Sequence, residues 1–255
     1  MVRLKREMVG LDWDPDRRVP GWIEQSRFRR SMDAEVIAEL SAMEWKNGGR
    51  VLAVGVAEDV LLWLLQEASH VTVVEPVPAI AQRLQAAIQG RADIRSLTWH
   101  AKAYGAISFE ANTFDLTVLL DEFNHYADPV NCGRKAAREL RIGGRLLSRA
   151  TLRPPGGEPD GWAMDFEAFQ AGTEGVLLVD RVDRHGVATA AVAGHFAGML
   201  PGIRSLGRAL LPAARRVDAK LEERVFAERP ALAWVEGTKA LALGRVFRPG
   251  QDPPA

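Results

Sequence analysis

The sequence predicts an α/β protein built on a doubly wound, mostly parallel sheet, and three observations carry that expectation. Strand and helix patterns alternate without long gaps between residues 50 and 150, giving five βα repeats. Residues 50–75, RVLAVGVAEDVLLWLLQEASHVTVVE, read as strand, tight turn, helix and second strand, and Glu75 closes the unit twenty residues after Gly55. The run Leu116 to Leu120 is apolar on both faces, as a central parallel strand is, and opens into the polar cluster Asp121-Glu122-Phe123-Asn124-His125-Tyr126.

Residues 1–30 are rich in Arg, Asp and Trp, contain Pro15 and Pro20, and show no sustained periodicity, so they read as an N-terminal arm or cap. A helix follows, capped by Ser31 or Asp33, striped by Val36, Ile37, Leu40 and Met43, and stopped by Asn47-Gly48-Gly49. The first strand is Val51 to Val54. The helix from about Asp59 to Glu67 is apolar almost all round, which implies burial against the sheet. Val71 to Val74 is the second strand, and the Ile80, Leu84, Ile88 spacing makes the next helix. A short third strand falls near Ile94 to Trp99, the fourth at Leu116 to Leu120, a helix at 130–141, a turn at Ile142-Gly143-Gly144, and a fifth strand at Arg145 to Ala150. Beyond it come the loop PPGGEPDG (154–161), a helix over Trp162 to Gln170, and a sixth strand over Gly175 to Val182. A mostly helical stretch then covers 187–227, and a last strand is expected over Lys239 to Phe247. The whole of 31–255 reads as one domain.

Composition narrows the function classes. The chain has 255 residues, 47% of them hydrophobic, enough for one full core. Lys plus Arg and Asp plus Glu both number 33, so no global field draws the protein to nucleic acid or anionic lipid. A single cysteine, Cys132, excludes an intramolecular disulfide and a multi-cysteine metal cluster, which suits a reducing compartment. No run reaches the roughly 18 apolar residues of a membrane span, and the charged opening lacks a signal-peptide core, so the expectation is a cytoplasmic protein.

Chemistry is expected at the carboxyl ends of the strands, where open parallel sheets bind ligands. Glu75 stands at the distance at which nucleotide-binding units place a carboxylate for the two ribose hydroxyls. The turn Gly55-Val56-Ala57-Glu58-Asp59 has one glycine of the phosphate-binding fingerprint, and its acid pair would repel a diphosphate. A cofactor carrying an amino acid group and a sulfonium would instead bring positive charge. Cofactor-side candidates are therefore Gly55, Val56, Glu58, Glu75 and Pro76. His125 is the candidate proton acceptor, with Asp121 and Glu122 as alternatives. Each also has an ordinary reading: Glu75 as cap of the helix after Pro76, Gly55 as a turn glycine, Glu58 as a first-turn acid, His125 as a structural histidine. Asp121 and His125 lack a convincing third metal ligand, and no metal is expected.

Four pieces, VLAVG, VTVVEPVPA, NTFDLTVLLDEFNHYADP and ELRIGGRLL, stand in an order and spacing that resembles the class I S-adenosylmethionine-dependent methyltransferases over about residues 33–152. The small-molecule branch of that family often shows His followed by Asp-Pro after strand four, as His125 and Asp128-Pro129 do here. The resemblance implies a Rossmann-like sheet of seven strands with an antiparallel last strand, the segment 239–247, and a helical insertion before it, 187–227, closing over a small-molecule substrate. It also implies S-adenosylmethionine as cofactor.

Departures from the pattern are specific. Ala53 replaces the usual acid two residues before the first glycine, Ala57 and Asp59 replace the later glycines, and Ala103 falls where an acid meets the adenine amino group. Two missing charge-assisted hydrogen bonds would cost about 3 to 6 kcal/mol of affinity, although Glu58 offers a substitute for the cofactor's ammonium. Two function classes follow. One is methyl transfer to oxygen or nitrogen of a small molecule. The other is a cofactor-free, methyltransferase-like structural or regulatory subunit with a protein partner. A nicotinamide dehydrogenase would want the glycines this turn lacks.

Overall fold

Strands rich in Val and Leu form the centre of the sheet because both of their faces are covered. Strand β1 (Arg50–Val54) is buried at every position after Arg50, and β4 (Phe114–Leu120) is buried at all but one. In the computed structural model of the protein, the described residues are 35–46, 48–90, 96–120, 122–153, 163–184 and 231–240, with 210, 213 and 216 singly. The expected arm (1–30), the loop 154–161 and nearly all of the insertion 187–227 lie outside them.

The remaining strands are β2 (His70–Val74), β3 (Leu97–His100), β5 (Leu140–Leu152), β6 (Leu177–Arg184) and β7 (Ala231–Lys239). They form one seven-stranded sheet in the order β3-β2-β1-β4-β5-β7-β6. Neighbours from β3 to β5 are parallel, whereas β7 runs antiparallel to β5 and to β6. The doubly wound fold and its antiparallel last strand are as the sequence predicts.

Two layers of helix cover the sheet. On one face, α1 (residues 35–42), α2 (Glu58–Glu67) and α3 (Pro78–Ile88) bury Val36, Leu40, Val60, Leu61, Leu64 and Leu84 against the side chains of Val51, Ala53, Leu116 and Val118. On the other, α4 (Pro129–Glu139) and α5 (Phe166–Thr173) set Cys132, Ala136 and Phe169 against Leu52, Leu119 and Leu146. The alternation of these partners along β1 and β4 is the two-residue period of a strand.

Three boundaries differ most from the sequence reading. The last strand is Ala231–Lys239 and not 239–247, of which 241–247 lie outside the described residues. Glu236 and Gly237 make this segment look a poor strand, but tertiary contacts compensate for both. Glu236 is buried within 3.5 Å of Arg145, and Gly237 lies where a Cβ would come 3.0 Å from Leu177. Strand β5 begins at Leu140, before the expected turn: Leu140 pairs with Phe114 and Arg145 with Leu116, so residues 141–144 bulge out within the strand. Helix α5 starts at Phe166, four residues later than expected, because Asp165 caps it by accepting a hydrogen bond from the Ala168 N–H at 3.0 Å.

Candidate active site

Strand order fixes where a ligand can sit. From β1 the chain winds outward to β2 and β3, then crosses back to β4 and winds the other way, so the carboxyl ends of β1 and β4 form the topological switch point, where open parallel sheets have their ligand crevice.

The β1–α2 turn forms one side of that crevice. Gly55 has φ +66°, a conformation that L side chains rarely adopt, and a Cβ there would lie 2.7 Å from the carbonyl oxygen of Leu120. Its N–H donates to the Val74 carbonyl at 3.3 Å, so the turn is held between β2 and the end of β4. Val56 is buried beneath it. Ala57 occupies the N-cap of α2 without a side-chain cap, and Glu58 lies 3.9 Å from Arg83 of α3. Both partners of that pair are substantially exposed, so it contributes little to stability.

Val54 pairs with Val74, so Gly55 and Glu75 leave the sheet side by side. Glu75 is buried, with 4% exposure. Its N–H donates to the His100 carbonyl at 3.1 Å, and its Oε1 accepts from the Val77 N–H at 2.8 Å. The carboxylate therefore does brace the start of α3, just past a half-buried Pro76, and it does so at the rim of the crevice. The ordinary reading of Glu75, as a brace for the helix after Pro76, is met by this position.

The polar cluster after β4 divides into different jobs. Asp121 lies outside the described residues. Glu122, Phe123, Asn124 and His125 form a 3-10 turn. Glu122 is buried and accepts the Tyr126 hydroxyl at 2.6 Å, and Tyr126 in turn accepts from the Gly105 N–H at 2.8 Å. Burial, with Glu122 beside it, pushes the Tyr126 hydroxyl far above its ordinary range, so it stays protonated and remains a donor. His125, half-buried, ends the turn. Asp128 caps α4, accepting from the Asn131 N–H at 3.1 Å.

Two contributors escaped the sequence reading. Asn124 pairs its side-chain amide with the backbone of Thr151, donating to the carbonyl at 3.0 Å and accepting from the N–H at 2.9 Å, which fixes the 3-10 turn to the end of β5. Glu139, fully buried, accepts the Tyr104 hydroxyl at 2.7 Å, pairs with Lys135, and lies 3.2 Å from Arg138. The Lys135 ammonium stands 4.0 Å over the Tyr104 ring. Burial pushes the Lys135 amine down, opposed by the Glu139 carboxylate, and pushes the Tyr104 hydroxyl up. These partners are 27 and 35 residues apart in sequence, so no local pattern announces them. Among the described residues, no group of three or more His, Cys, Asp or Glu could hold a metal ion.

Residues 52–148 match a family model described as a methyltransferase domain. In fold the chain is similar to a geranyl diphosphate methyltransferase in complex with S-adenosylmethionine, at 14% identity and TM-score 0.58, over 91% of this chain and 94% of that one. It is similar also to the geranyl diphosphate C-methyltransferase of Streptomyces coelicolor A3(2), at 11% identity and TM-score 0.56, over 81% of this chain and 77% of that one. A third likeness is to the [4+2]-cyclase SpnF, at 15% identity and TM-score 0.54, over 83% and 82%. No curated protein matches in sequence.

Proposed function

We propose that the chain transfers a methyl group from S-adenosylmethionine to oxygen or nitrogen of a small molecule, because its residues 52–148 match a family model described as a methyltransferase domain and its fold is similar to that of S-adenosylmethionine-dependent methyltransferases. The observation that carries this reading is the pairing of Gly55 and Glu75: a turn with no room for a side chain beside a buried carboxylate, both at the end of the β1–β2 pair. These residues fit the cofactor. The ribose needs close backbone approach and a two-oxygen acceptor for its pair of vicinal hydroxyls, and the acids Glu58, Asp59 and Glu75 give the rim a sign that suits a cation and not a diphosphate.

In this reading Glu75 would grip the ribose hydroxyls, Gly55 and Val56 would let the backbone pass close, and Glu58 would receive the ammonium. When bound, S-adenosylmethionine supplies a sulfonium methyl carbon that the acceptor attacks in line, while the carbon–sulfur bond electrons stay on sulfur as a thioether. His125, at the end of the β4 turn, would take the acceptor's proton on an imidazole nitrogen. Glu122 is less suited, being committed to Tyr126 in a buried site. Asn124 would keep the turn, and with it His125, at fixed height above β5. Among the described residues no helix is long and apolar enough to cross a membrane, and we place the protein in the cytoplasm on its single, buried cysteine.

The deciding measurement is calorimetric titration of the purified protein with S-adenosylmethionine and S-adenosylhomocysteine. Dissociation constants below about 1 mM, roughly 4 kcal/mol of binding, are expected. No heat at millimolar ligand would favour the second reading, a cofactor-free structural or regulatory subunit with a protein partner. Ala53, Ala57 and Asp59 at the turn speak for that reading.

A further inference from the structure

We propose that Tyr126 is a positioning residue that ties together the two walls of the crevice, and that its hydroxyl thereby sets affinity for the adenosine part of the cofactor. The inference rests on the methyl-transfer reading above and adds a residue to it.

One wall is the connection from β3 to β4. It leaves the sheet at His100, whose carbonyl accepts the Glu75 N–H, and its regular structure is a single 3-10 turn, Tyr104–Ala106. So short a turn cannot hold its own position. Its anchors come from the other half of the molecule. The Tyr104 hydroxyl and, more distantly, the Phe109 N–H at 3.4 Å reach Glu139 on α4, while the Gly105 N–H reaches the Tyr126 hydroxyl. The other wall is the turn Glu122–His125, fixed to β5 through Asn124 and Thr151.

Tyr126 is the direct hydrogen-bonded link between these walls. Its hydroxyl accepts from Gly105 at 2.8 Å and donates to Glu122 at 2.6 Å, so one oxygen joins a backbone amide of the first wall to a carboxylate of the second. The residue is 2% exposed, which denies water the chance to replace either bond. Gly105 is buried as well. Loss of the hydroxyl leaves the ring packing intact and frees the first wall to shift beside Glu75. Tyr104 and Glu139 hold that wall to α4; Tyr126 alone among these contacts holds it to the turn bearing His125.

The test uses Tyr126→Phe in the full chain, with Leu177→Val as a control that loosens the core at the far edge of the sheet. S-adenosylhomocysteine and adenosine are titrated calorimetrically into each protein, and amide exchange at Gly105 is followed. Tyr126→Phe is expected to bind both ligands about fivefold more weakly, the value of the Gly105 bond that ties the first wall in place, with faster Gly105 exchange, while Leu177→Val binds as the parent does. Unchanged affinity in Tyr126→Phe overturns the proposal, as does an equal loss in Leu177→Val, which would reduce the effect to stability. Should Tyr126→Phe fail to fold, Glu122→Gln, which offers the hydroxyl only a neutral acceptor, must weaken both ligands, and unchanged affinity there overturns it too. A parent that binds neither ligand sinks the methyl-transfer reading and the cofactor role of Tyr126 with it; faster Gly105 exchange in Tyr126→Phe would then show that the tether itself had been read correctly.

Discussion

Replacing Gly55 with alanine imposes two costs that the structure separates. The first is conformational, since Gly55 has φ +66° and a non-glycine residue there loses roughly 1–2 kcal/mol. The second is steric: the new methyl would start 2.7 Å from the Leu120 carbonyl oxygen, a backbone atom at the end of a central strand that cannot swing aside as a side chain can. Overpacking of this kind costs about 1–3 kcal/mol. Alanine also restricts the unfolded chain, which offsets about 0.4–1 kcal/mol. The expected net loss is roughly 1.5–4 kcal/mol, or a fall in Tm of about 5–10 °C for a chain of this size. Gly90→Ala is the natural comparison, because Gly90 has φ +80° but nothing within 4 Å of its built Cβ. It carries the conformational cost alone, a net of roughly 0.5–1.5 kcal/mol. Urea unfolding of both variants, monitored by circular dichroism, measures the difference. A Gly55→Ala protein no less stable than Gly90→Ala would refute the claim that the turn is pressed against β4, and with it the geometric basis of the site.

Glu75→Ala should weaken S-adenosylhomocysteine binding at least tenfold, at about 1.4 kcal/mol per tenfold, because the carboxylate would serve two hydroxyls; equal calorimetric affinity in variant and parent removes Glu75 from the site. In an acceptor screen scored by methyl transfer, His125→Asn should lower kcat by about a hundredfold or more while leaving cofactor affinity intact, and unchanged turnover ends its assignment as proton acceptor. Asp165→Ala should destabilise the protein by about 1 kcal/mol near neutral pH through loss of the α5 cap. The Ala168 N–H holds the Asp165 carboxyl below its ordinary range; burial opposes it, and Arg153 adds to the lowering. A depressed folded value means that the stabilisation is full above about pH 3.9, the unfolded value, and disappears as pH falls through the lower folded one. The Tm gap between parent and Asp165→Ala should therefore close in strong acid, and a gap independent of pH would contradict the charged-cap account.

The sequence by itself determined the alternation of strands and helices, the parallel core, and the placement of Gly55, Glu75 and the 121–126 cluster at strand ends. That information is local: a two-residue or 3.6-residue period, a turn glycine and a continuous apolar run are each read within a dozen residues. The last strand shows where local information stops. The local pattern points to 239–247, whereas the strand is Ala231–Lys239, where Arg145 and Leu177, from distant parts of the chain, accept Glu236 and Gly237 into the sheet. Roles within the polar cluster were decided in the same way. The sequence offers Glu122 as an alternative to His125, but Glu122 faces Tyr126 and, through it, Gly105, while Asn124, which no motif singled out, meets the backbone of Thr151. A buried polar group must find its partner wherever the fold brings one, and these partners lie up to 27 residues away. Only the folded chain could say that Glu122 and Asn124 are committed to these distant partners.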